Sequence, residues 1–81
     1  MDYNDKLIED TVLALLALYS FNGGQAWKRF DFEIMNRLHE QGMISQPRGR
    51  AESVRLSSEG LERGQQIAGR LFGIATPRSS S

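Results

Sequence analysis

Arg37-Leu38-His39-Glu40-Gln41-Gly42-Met43-Ile44 closes a helix and opens a strand, and Ser53-Val54-Arg55-Leu56-Ser57-Ser58-Glu59-Gly60-Leu61 is a strand that turns directly into another helix. Gly42 supplies the left-handed residue with which helices commonly end. Met43-Ile44-Ser45 then starts a strand, Pro47-Arg48-Gly49-Arg50 makes a loop, and Ser53-Val54-Arg55-Leu56 alternates polar and apolar with period two. Val54 and Leu56 should point inward and Arg55 outward, with residues 43–45 pairing antiparallel with residues 53–56. Ser57 caps a last helix that runs to Phe72, with Gly73 beyond its end.

Working outward, Asp31 is a good N-cap for a helix over 32–41, and Phe30 before it can staple onto Met35. Ile34, Met35 and Leu38 face the core; Glu33, Asn36, Arg37 and Glu40 lie on the opposite arc. Asn4 or Asp5 caps a first helix that ends near Tyr19, stopped by Asn22-Gly23-Gly24. Its widest apolar stripe is Ile8, Val12, Leu15 and Tyr19, flanked by Leu7, Thr11, Leu18 and Leu16. Leu13 falls outside that stripe, which makes it either a single exposed leucine or, with Leu16 and Ala17, a dimer seam. Residues 25–30 are too short for an independent helix and suit one or two helical turns held by tertiary contacts. In the last helix, Leu61, Ala68, Leu71 and Phe72 form the apolar face with Ile67 at its margin, and Gly60, Gly64 and Ala68 add a line of small residues that lets another backbone come close. Helix, hairpin and helix in this order spell an α+β winged helix-turn-helix, mostly helical with a two-stranded β-hairpin wing. It should occupy residues 1–75, with a polar, disordered tail over 76–81.

Composition sets the bounds on function. An 81-residue chain holds one domain, which at this size buries only about 60% of its unfolded surface. Without cysteine there is neither a disulfide nor a thiolate metal site. Ten basic residues balance ten acidic ones, so no global field draws the chain to nucleic acid or to an anionic membrane. The balance is local instead: Asp2, Asp5, Glu9 and Asp10 oppose only Lys6 near the start, while Arg48, Arg50 and Arg55 oppose only Glu52 in the hairpin. The acidic start is unlike a signal peptide, and no apolar run approaches the ~18 residues of a membrane span. A cytoplasmic protein with no membrane partner is expected.

Three arginines on one exposed ribbon could lie along a phosphate backbone or enter a minor groove, or could simply be a solvated, aggregation-resistant edge. Asn36 and Arg37 have base-reading chemistry on the helix that would enter a major groove, although Glu33 and Glu40 beside them repel phosphate. Trp27 and Phe30 beside Lys28 and Arg29 are either a stacking and phosphate pair or core aromatics with solvated basic neighbours. His39 is the sole histidine, and Glu40 projects about 100° from it, so the pair is not a chelate. No phosphate loop, nucleophile elbow or triad spacing occurs. Neither an enzyme nor a cofactor is expected.

The run Leu38, Gly42, Ile44, an arginine-bearing loop, Val54, Leu56, Ser57 and Glu59-Gly60 is similar to the C-terminal part of MarR- and PadR-type winged-helix regulators. That resemblance implies DNA binding and dimerisation. Ala26-Trp27-Lys28, Arg37-Leu38-His39-Glu40, Pro47-Arg48-Gly49 and Ser53-Val54 resemble a small bacterial family classed as a domain of unknown function, which implies the fold but no activity. The sequence therefore points first to a homodimer that binds double-stranded DNA in a regulatory role through Lys28, Asn36, Arg37, Arg48, Arg50 and Arg55, with Leu13, Leu16 and Ala17 at the dimer interface. A winged helix that binds a protein partner and no DNA is the alternative.

Overall fold

Three helices and two short strands follow one another in the computed structural model, which describes residues 4–73. They are α1 (Asp5–Leu18), β1 (Gln25–Trp27), α2 (Phe32–Glu40), β2 (Ser53–Arg55) and α3 (Ser58–Phe72). The tail expected over 76–81 lies outside the described residues.

Each helix begins where a capping side chain satisfies its first free N–H groups. The Asn4 side chain accepts from the Leu7 N–H, Asp31 from those of Glu33 and Ile34, and Ser57 from that of Gly60. Between α1 and β1, Asn22, Gly23 and Gly24 all take positive φ, which reverses the chain where the helix stops.

The sheet differs from the expected hairpin. β1 pairs antiparallel with β2, Gln25 opposite Arg55, Ala26 opposite Val54 and Trp27 opposite Ser53. On its other side, β2 and the residue after it meet the chain after α2 through the isolated bridge between Ile44 and Leu56, supported by the Ser45 N–H donating to Arg55 O at 2.8 Å and the Arg55 N–H donating to Ser45 Oγ at 2.9 Å. Residues 25–27 are thus a strand, not a helical turn. Three residues cannot sustain a helical hydrogen-bond ladder, whereas an adjacent strand edge satisfies their backbone groups at once. Val54 and Leu56 are buried and Arg55 is exposed, as the period-two alternation requires.

The core lies between α1 and the other elements, and α1 packs on α3 along one side and on α2 along another. Here a second expectation is corrected. Leu13 is only 1% exposed, and Leu16 and Ala17 are buried with it inside this one chain. Leu13 and Ala17 are thereby unavailable to a partner. Conversely, Tyr19 is 73% exposed and Leu18 54%, while Ile8 and Leu15 are only half-buried. The helix is rolled so that its small residues meet α3: at Gly64 an added Cβ would stand 2.7 Å from Ala17 Cβ and 2.8 Å from Leu13 O. Close backbone approach there gains more packing than the larger side chains of the opposite stripe could. α3 follows suit, burying Gly60, Gly64, Ile67 and Ala68 and leaving Leu71 and Phe72 largely exposed.

Candidate interaction surface

Most of the basic residues singled out in the sequence are turned toward the chain itself. Arg37 pairs with Glu9 at 3.3 Å, and Gln41 Nε2 donates to the same carboxylate at 2.8 Å, so that a buried Glu9 ties α1 to α2. Burying a carboxylate without such partners would cost several kcal/mol, and the two donors offset that cost. Asn36 Nδ2 donates to Glu40 Oε2 one turn on. Lys28 Nζ donates to the carbonyls of Pro47 at 2.7 Å and Gly49 at 3.3 Å, which pins β1 to the loop before β2. Arg55 reaches the carbonyls of Asn22 and Gly23 at 3.5 Å.

Arg48 lies 5.8 Å from the centroid of the Phe32 ring, in cation–π range, and shares a shallow depression with Lys28, Phe30, Phe32 and Pro47. Arg50 stands exposed in the same loop. The structure thus brings Lys28 and Arg48 together, and points Arg37 and Arg55 elsewhere. His39 is structural in its contacts: its Nδ1 lies 3.0 Å from Ile44 O and its Nε2 3.4 Å from Gln46. Among the described residues, no three His, Asp or Glu side chains cluster as a metal site.

A different surface emerges along α1. Leu7, Thr11, Leu15 and Leu18, spaced 4, 4 and 3 residues apart, line the outer face of the helix, and Tyr19 adjoins them. No charged residue interrupts that stripe. The charges of the helix lie elsewhere: Asp10 forms ion pairs with Lys6 at 3.4 Å and Arg63 at 3.9 Å, and Glu9 is buried toward α2. At its C-terminal end the stripe opens into an apolar groove of about 290 Å³ lined by Leu15, Leu16, Tyr19, Ala26, Trp27, Arg29 and Phe30. Trp27 is 47% exposed and packs on Phe21 with ring centroids 5.0 Å apart.

Sequence reasoning missed this surface because it assigned the stripe to the core. Small residues carried the signal that identifies the true core side: Ala14 and Ala17 on α1, opposite the line of small residues in α3.

A family model described as a domain of unknown function, DUF6429, matches residues 4–74. The chain is also 43% identical over 72 residues to the uncharacterised protein y4hR of Sinorhizobium fredii, covering 89% of this chain and 97% of that one. No solved structure matches.

Proposed function

Since the chain belongs to the DUF6429 family of domains of unknown function, to which no activity is attached, we propose from its own surface that it is a protein-interaction module. Its docking face is the uncharged outer stripe of α1 with the aromatic groove beside it. The single observation carrying this reading is that the outer face of α1 holds no charge while exposing Leu7, Leu18 and Tyr19, with Thr11 and Leu15 half-buried between them. Monomeric proteins rarely leave so continuous an apolar surface in water, and aromatic residues are typical of interface centres. We read the frame as winged-helix-like: β2 lies between β1 and the Ile44 bridge, and residues 45–52 form the wing.

A photo-reactive benzoylphenylalanine placed at Leu18 should give a discrete cross-linked protein adduct in the native cell, identifiable by mass spectrometry. The same group at Arg50 should give none. A nucleic-acid adduct at Arg50 with nothing at Leu18 would reverse the assignment.

Duplex DNA binding in a regulatory role is the second reading, favoured by the exposure of Arg48 and Arg50 on one loop beside Lys28. Each phosphate contact contributes about 0.9 to the slope of log affinity against log salt. On this reading, Arg48→Ala with Arg50→Ala flattens the slope measured by fluorescence anisotropy by nearly 2. An unchanged slope, or no binding at low salt, removes the loop from any DNA interface.

A further inference from the structure

We propose that the occupant of the α1 face is a second copy of this chain, its α1 laid antiparallel across the first about a two-fold axis passing near Thr11. The proposal rests on the interaction reading above and names its partner.

Two features of the face fit a reversed copy of itself. The first is the spacing. With the axis at Thr11, Leu7 of one chain falls opposite Leu15 of the other, and the two Thr11 side chains meet. The stretch from Leu7 to Leu15, about 12 Å long at the helical rise per residue, is thereby covered by its own reverse, and Leu18 falls opposite Asn4 of the other chain. The second is charge. Asp5 begins α1, and Arg29 lines the groove beside Tyr19 near its end; neither has an ion-pair partner among the described residues. Asp5 and Tyr19 lie on the same flank of the helix, about 40° apart around its axis. A two-fold axis perpendicular to the helix keeps each flank on its own side while exchanging the ends, so each Asp5 comes to the Arg29 end of its partner. A parallel pairing would leave each Asp5 at the level of its counterpart and far from either Arg29.

A helix face alone falls short of the ~800 Å² that each partner contributes to a stable interface. Tyr19, Trp27 and Phe30 extend it, and the N-terminal turn of the second α1 is the segment that reaches their groove. The paired charges set orientation more than strength.

Sedimentation equilibrium of the full chain up to about 500 µM should give twice the 9.1 kDa chain mass. Thr11→Glu sets two carboxylates against each other at the axis and should weaken association about 100-fold without changing the circular dichroism spectrum. Leu18→Glu, at a more exposed position, should act in the same direction. Asp5→Arg should weaken the dimer, and adding Arg29→Asp should restore it. A monomer throughout this range, or a dimer indifferent to both glutamates, overturns the proposal, and failure of the charge swap to restore association overturns its antiparallel form. Staining with the apolar dye ANS separates this failure from that of the interaction reading. A monomer that enhances dye emission in a manner lost in Leu18→Glu keeps an open docking face for another protein, whereas a monomer without enhancement overturns both.

Discussion

Gly60→Ala is expected to lower the thermal midpoint by roughly 5–20 °C, whereas Gly69→Ala in the same helix raises it by a few degrees. A methyl group at Gly60 would run into the carbonyl oxygen of Met43 and lie 2.8 Å from its carbonyl carbon. That carbonyl cannot easily move aside, because it accepts the Ser57 N–H at 2.9 Å and the Ser57 Oγ at 3.3 Å, and Ser57 in turn caps α3. Overpacking against fixed backbone costs about 1–3 kcal/mol and a disturbed cap about 1 more, against a gain of about 1 from alanine's helix propensity. The net is roughly 1–3 kcal/mol of lost stability. Gly64→Ala should move in the same direction, since its methyl group meets Ala17 and the Leu13 carbonyl. Around Gly69 there is nothing within 4 Å, so only the propensity gain remains. Thermal melts followed by circular dichroism at 222 nm measure all three, and a Gly60→Ala protein that melts with wild type would show that α3 does not approach the residue 43 backbone this closely.

Leu13→Asp should abolish the folded state at 25 °C, while Leu18→Asp should leave the far-ultraviolet spectrum intact and the midpoint within a few degrees of wild type. Leu13 is among the most buried side chains, and its backbone carbonyl faces Gly64 of α3. Removing its apolar volume alone costs about 2–5 kcal/mol, and an unpaired carboxylate in the same space adds a further desolvation penalty. A domain of this size has only about 4–12 kcal/mol of stability to lose. Leu18, by contrast, already stands more than half in solvent. Had the seam been at Leu13, Leu16 and Ala17, the aspartate at 13 would give a folded monomer. The pair of variants therefore decides which face of α1 is inside, and circular dichroism with size-exclusion chromatography reads both outcomes.

Local chemistry was legible in the residues. Asn4, Asp31 and Ser57 mark where the helices start, Asn22-Gly23-Gly24 marks where the first one stops, and the alternation at Ser53-Val54-Arg55-Leu56 fixes which of those side chains go in. Each of these depends on groups within about four positions along the chain, so a short window contains the whole cause. What only the tertiary structure decided involves partners far apart in sequence. Residues 25–27 became a strand because β2, some 28 residues later, offers them an edge. Arg37 turned inward because Glu9 is buried beside it, and Lys28 turned to the carbonyls of Pro47 and Gly49. The roll of α1 belongs to the same class. Leucine, isoleucine and alanine surround nearly all of that helix, so hydrophobic periodicity leaves its inner face almost undetermined. Packing settled it, because Gly64 admits the backbone of Leu13 and the methyl group of Ala17, and Leu7, Leu18 and Tyr19 were left outside.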